Sequence, residues 1–276
     1  MATKKTRFDT YFDGHLQGNL LKGQDYRALF TESVEDFFKR MKHHAYIAGQ
    51  PGVGKTYTVE AIAQQYPMVH LLTLKGKMSP WAFVKQMAVV LYKLPKSMKL
   101  AVFIDDMNEI FKANSDFIDM FKIAMDKASG DQIEYNTSLG SQYAACEDIE
   151  KEAIDYFKAM NPDRTGFVIP FDGRVKFIFT MNTPLPGAQE MAREKQGSDR
   201  WIKLNNRSAI RSRVNYEDLV MDKDTHWGWI ADVVWNSPQT MCAGADYEQR
   251  YEMLSWLWDN WDTVSEHSLH FVEEKL

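Results

Sequence analysis

The chain has 276 residues, 45% of them hydrophobic and 26% charged, the balance of a globular protein with one large domain or a large and a small one. A formal net charge of −5 excludes a surface basic all over, the kind that binds nucleic acid without specificity, and leaves only a local basic patch open. Cys146 and Cys242 lack metal-ligand spacing, no apolar run approaches the roughly 18 residues of a membrane span, and Met1–Arg7 leads into no signal-peptide core. A soluble, cytoplasmic protein with reduced cysteines is expected.

Residues 1–25 are polar and turn-rich (Asp13-Gly14, Gln17-Gly18-Asn19, Lys22-Gly23) and read as an arm or extended lead-in. Lys4, Lys5 and Arg7 read as a solvated terminus, with contact to a phosphate backbone as the alternative. A helix is expected from Thr31, capped by Thr31 or Ser33, with Val34, Phe37, Phe38 and Met41 on one stripe. Ala45-Tyr46-Ile47-Ala48 is a short apolar run that reads as a buried strand. Directly after it comes Gly49-Gln50-Pro51-Gly52-Val53-Gly54-Lys55-Thr56, followed by Val59, Ile62, Ala63 and Tyr66 at helical spacing.

Met68–Leu74 reads as a second strand, in which His70 is a packed or edge side chain, and Lys75-Gly76-Lys77-Met78 as a loop. Ser79-Pro80 then opens a helix, serine as cap and proline at the first position, with a stripe of Val84, Met87, Ala88 and Leu91. Leu100–Ile104 is a third strand ending in Asp105-Asp106. Asn114 or Ser115 is expected to cap a helix burying Phe117, Met120, Phe121 and Ala124. Residues 128–165 are polar, with one helix around Glu147–Met160. Residues 166–180 look like a hairpin turning at Asp172-Gly173, whose second arm ends in Met181-Asn182-Thr183-Pro184. A last short strand is expected near Tyr216–Met221. Six of the eight tryptophans lie beyond residue 221, and Leu254, Leu257, Trp258 and Trp261 form a helical stripe, as in a small aromatic-rich helical domain. The expected divisions are 1–25, 26–220 and 221–276.

The octet Gly49–Thr56 satisfies G-x-x-x-x-G-K-[ST], the phosphate-binding loop. Glycines let successive backbone N–H groups turn inward as an anion nest. Lys55 can then reach β- and γ-phosphates, the Thr56 hydroxyl can take a Mg²⁺ position, and the helix dipole points at the phosphates from Tyr57 onward. Gly49, Gln50, Pro51, Gly52, Val53, Gly54, Lys55, Thr56 and Tyr57 are therefore the candidate ATP-binding residues. Phe103-Ile104-Asp105-Asp106 places carboxylates at the C-terminal edge of a strand, Asp105 for the metal and Asp106 to polarise the attacking water. Asn182, at the end of a strand expected between the other two, can hold that water or bind the γ-phosphate.

In this order the motifs resemble those of the AAA+ ATPases. The resemblance rests on Gly49–Thr56 as Walker A, Val102–Asp106 as Walker B, Phe179-Thr180-Met181-Asn182 as sensor 1 and Ile210-Arg211-Ser212-Arg213 as the arginine finger. It implies an α/β fold, a P-loop αβα sandwich with a parallel five-stranded sheet, followed by a small C-terminal helical lid. It also implies a homo-oligomeric ring or spiral, expected to be a hexamer, that hydrolyses ATP with Mg²⁺ between subunits. Arg213, with Arg211 as second choice, would reach into the neighbouring subunit's pocket, and either can instead be a plain salt-bridging arginine. The chain departs from the family in having Asp-Asp where Asp-Glu is usual, which keeps Glu109 open as the base. It also has His267 where the lid's sensor 2 arginine is expected.

The Thr-Met-Asn-Thr-Pro run is similar to the MoxR branch, the Ser-Arg before the last strand to clamp loaders, and the whole to small bacteriophage ATPases of the family, which would place it in host cytoplasm. Two substrates stay open. Lys75 and Lys77 would line a pore and follow nucleic-acid phosphates, with the hairpin assisting, or the ring would remodel a protein partner in the manner of MoxR chaperones.

Overall fold

The computed structural model describes residues 11–107, 116–126, 131–135, 140–162, 166–236, 242, 244–264 and 267–275. Its strands are β1 (His44–Gly49), β2 (Val69–Lys75), β3 (Lys99–Asp105), β4 (Gln132–Tyr135), β5 (Phe167–Pro170), β6 (Val175–Met181) and β7 (Val214–Leu219). Five of them make one sheet in the order β2-β3-β6-β1-β7, with parallel ladders between β1 and β6, β2 and β3, and β3 and β6. The sequence explains why. The central strands are unbroken apolar runs, and all of β6 except Lys176 is buried, as a strand covered on both faces requires. Ala48 pairs with Met181 and Asp105 with Thr180, so β1, β3 and β6 end level at one edge of the sheet.

The helices are α1 (Gly14–Arg40), α2 (Lys55–Ala63), α3 (Pro80–Lys93), α4 (Asp116–Ala124), α5 (Gly140–Ala144), α6 (Asp148–Ala159), α7 (Ala188–Ala192), α8 (Asp199–Arg211), α9 (Lys223–Asn236), α10 (Tyr247–Asp259) and α11 (Leu269–Lys275). The chain divides into two compact units. One, 36–48 with 60–217, holds most of the sheet and buries Phe83, Val84, Met87 and Ala88 of α3 and Phe117 and Phe121 of α4 against Phe103, Phe177 and Phe179. Ser79 Oγ caps α3 by accepting the Ala82 N–H at 3.1 Å, and Glu147 and Glu150 close a capping box on α6. The other unit, up to Glu35 with 49–59 and 218–276, is helical, and its core is Trp227, Trp235, Leu254, Leu257 and Trp261 with Phe12 and Leu20.

Three expectations are corrected. Residues 14–25 are not an extended arm: they belong to α1, and Thr31 and Ser33 lie inside that helix rather than capping it. Asp13 Oδ1 does the capping, accepting from the N–H groups of His15 and Leu16 at 3.0 Å. Gly23 is no turn residue either. A Cβ there would lie 2.0 Å from the Gly228 carbonyl carbon, so two glycines let α1 and α9 touch backbone to backbone. Second, 166–180 is not a hairpin: the turn at Asp172-Gly173 exists, but β5 pairs antiparallel with β4 while β6 enters the main sheet. Third, the polar stretches hold more structure than expected, namely β4, α5 and α8. Lys4, Lys5, Arg7, Glu109, Asn114 and Ser115 lie outside the described residues.

Candidate active site

In the helical unit, the loop after β1 carries Gly52 and Gly54 in the left-handed region, at φ 72° and 81°. α2 starts at Lys55, its first turn closed by Thr58 N–H on the Gly54 carbonyl at 3.0 Å. Lys55 is only 7% exposed, and its Nζ donates to the carbonyls of Gly49 (2.9 Å) and Gln50 (2.5 Å). Gln50 Nε2 in turn donates to the Met221 carbonyl at 2.8 Å. The residue after Gly52 in space is Ser268. A Cβ on Gly52 would sit 2.1 Å from the Ser268 Cβ, and Leu269 N–H donates to the Gly52 carbonyl at 2.9 Å. Glycine is thus required twice, by backbone angle and by space. A buried ammonium held by neutral carbonyls, beside a helix N-terminus and two left-handed glycines, fits nucleotide phosphates.

In the sheet unit, the level ends of β3 and β6 bring a second cluster together. Asp105 Oδ1 accepts from the Thr180 hydroxyl at 2.8 Å, and Thr180 is fully buried, so the carboxylate is fixed. Such a hard anionic oxygen suits Mg²⁺. Asp106 follows in the left-handed region, at φ 49°, an uncommon geometry that aspartate tolerates. Its N–H donates to the Thr180 carbonyl at 2.9 Å, and its Oδ2 accepts from Asn182 Nδ2 at 2.8 Å. Both side chains are exposed at the sheet edge, where a substrate can meet them. Carboxylate and amide together can orient a water and take its proton.

Residues 45–184, just over half of the chain, match the family described as ATPase family associated with various cellular activities (AAA). The chain belongs to this family. No curated protein matches the sequence. Among solved structures it is similar to AMPPCP-bound DnaA from Aquifex aeolicus, at 11% identity and TM-score 0.39, covering 90% of this chain and 58% of that one. A replication initiator DnaA bound to AMPPCP and single-stranded DNA gives 13%, 0.38, 88% and 58%. The Thermotoga maritima RuvB Holliday junction branch migration motor gives 14%, 0.31, 91% and 67%. The chain spans less than two thirds of the length of the DnaA chains.

Within this family member the other expected residues fall as follows. Arg213 follows α8, where its Nε donates to the Lys122 carbonyl (3.2 Å) and its Nη1 to the Ala209 carbonyl (2.8 Å), with Asp126 3.6 Å from Nη2. It lines a cavity of about 630 Å³ with Lys42, His43, Asp126, Asp131 and Lys176. That cavity also touches His44 and Val214, the first residues of β1 and β7, so it lies at the N-terminal edge of the sheet. Asp106 and Asn182 are at the opposite edge, about 20 Å away by strand length. Arg211 instead donates to the Leu185 carbonyl at 2.8 Å and lies 4.2 Å over the Tyr216 ring.

Lys75, expected to line a pore, has its Nζ 3.1 Å from Glu60 Oε1 and 3.9 Å from Asp105 Oδ2. Lys77 is exposed, while Met78 packs against the core and Trp81 against Tyr135. His267, the sensor 2 candidate, donates to the Trp261 carbonyl at 2.6 Å and stacks on that indole at 3.9 Å. Beside it His226 is buried, and burial first, then the nearby charges of His267 and Lys55, push its pKa down to about 4. Sequence reasoning did not single out Glu60 or Tyr46, and it cited Thr180 only as part of a motif. Their contacts join distant segments, and no local pattern signals them. Among the described residues no helix is long and apolar enough to cross a membrane.

Proposed function

We propose that the chain is a Mg²⁺-dependent ATP hydrolase that works as a ring or spiral and remodels or loads a nucleic-acid complex. Lys55 serves the β- and γ-phosphates, Thr56 and Asp105 the metal, Asp106 the attacking water, and Asn182 holds that water. When bound, Mg²⁺ supplies positive charge to the phosphate oxygens. The observation that carries hydrolysis is the Asp106–Asn182 pair, a carboxylate in left-handed backbone aligned by an amide at 2.8 Å. Arg213 supports a shared pocket: at the N-terminal sheet edge it is too far from its own Asp106 to serve it, and serves a neighbour's instead.

The substrate rests on the exposed Lys77 of a cationic loop in an acidic chain. The second reading, a MoxR-like chaperone acting on protein, is favoured by the pairing of Lys75 with Glu60 and Asp105, which takes one cation from that loop. ATPase rate with and without single-stranded DNA, duplex DNA and co-purifying proteins separates them. Stimulation by DNA supports the first reading, and stimulation by a protein alone the second.

A further inference from the structure

After β6 the chain runs Asn182-Thr183-Pro184-Leu185-Pro186 with neither helix nor strand until α7. Two prolines deprive it of backbone donors, so this segment cannot hold its own shape through a ladder or a helix. Two side chains from elsewhere in the sheet unit hold its carbonyls. Tyr46, from the middle of β1 and fully buried, donates its hydroxyl to the Thr183 carbonyl at 2.8 Å. Arg211, the last residue of α8, donates to the Leu185 carbonyl at 2.8 Å. The two donors brace each other. The Tyr46 ring packs on Phe179 (5.8 Å) and Tyr216 (5.9 Å), and the Arg211 guanidinium covers the other end of that row at Tyr216.

We infer that Tyr46 and Arg211 are positioning residues that clamp the segment after β6 and so aim Asn182 at Asp106. Asn182 precedes the first clamped carbonyl by one residue and the second by three. Its amide has to stay within hydrogen-bond distance of a carboxylate on another strand, and a shift of about 1 Å is enough to lose the alignment hydrolysis needs. The clamp also gives Arg211 a role inside its own subunit, in place of its reading as the second choice for the arginine finger. The inference rests on Asn182 acting in hydrolysis, as proposed above.

The test uses Tyr46→Phe, Arg211→Ala, Arg211→Lys and Asn182→Ala in the full chain. Nucleotide affinity is read with a fluorescent ATP analogue, turnover at saturating ATP, and hydrogen exchange over 182–187 without nucleotide. Tyr46→Phe and Arg211→Ala are expected to leave affinity unchanged, speed exchange of the segment and lower kcat about tenfold. Arg211→Lys, which keeps a donor, should recover part of that loss. In the Asn182→Ala background Tyr46→Phe should change kcat no further, since there is no amide left to aim. An Asn182→Ala loss with Tyr46→Phe and Arg211→Ala at wild-type kcat, or losses that multiply in the double variant, would overturn the clamp alone. An unimpaired Asn182→Ala overturns the role of Asn182 and the clamp with it. Arg211 is exposed, so its variants keep the test decisive if Tyr46→Phe melts early.

Discussion

Asn182 holds the carboxylate of Asp106 at 2.8 Å across two parallel strands, and Asp106 meets it from a left-handed backbone. The amide donor pins one oxygen of the carboxylate and so fixes the orientation of the group. This is the geometry of an oriented base, reached without the extra methylene of a glutamate.

Asp106→Asn should therefore bind ATP normally and lose hydrolysis by ~10²-fold or more, as lost general bases do. Turnover assays beside nucleotide titrations check this. Near wild-type turnover would transfer the role to Glu109.

The two lysines of the loop after β2 should separate. Lys77→Ala is expected to weaken DNA binding alike for all sequences and to flatten the log–log salt dependence by about one unit. Lys75→Ala should leave that slope unchanged, because its ammonium is already engaged by Glu60 and Asp105. DNA titrations at several salt concentrations decide between this and a loop in which both follow phosphates.

His226 makes stability depend on pH. Unfolded, it takes up a proton near pH 6.5; folded, it resists until about pH 4, since burial and then the charges of His267 and Lys55 disfavour the cation. The unfolded state binds more protons throughout that window, so stability falls as pH drops from 6.5 toward 4, by up to about 3 kcal/mol. Urea midpoints at pH 7 and pH 5 should differ less for His226→Gln than for the wild type. Equal differences would contradict the assignment.

Much of this was legible in the sequence, for physical reasons. A strand buried on both faces must be an unbroken apolar run, and a phosphate loop must have glycine where φ is positive, so β1, β3 and Gly49–Thr56 declare themselves. Ser79-Pro80 marks a helix start because both residues suit only that end. α1 was hidden because Gly23 serves a helix crossing, a tertiary purpose that looks like a turn in one dimension. The pairing of β5 with β4 joins segments over thirty residues apart, and a nearby Asp-Gly turn suggested a closer partner. In the site, the residue types were readable but their supports were not. Nothing local in the sequence says that Thr180 will hold Asp105, or that Tyr46 will reach Thr183.

The central claim, that each pocket is completed by a neighbour's Arg213, is tested most directly by mixing two inactive variants. Lys55→Ala removes the cation at the phosphates and should abolish nucleotide binding. Arg213→Ala should still bind ATP but turn over ~10³-fold more slowly, as when arginine fingers are lost. Mixed, the intact Arg213 of the first protein can serve the intact pocket of the second, and ATPase activity should return in part. No recovery, together with a wild-type rate in isolated monomers, would contradict the shared pocket.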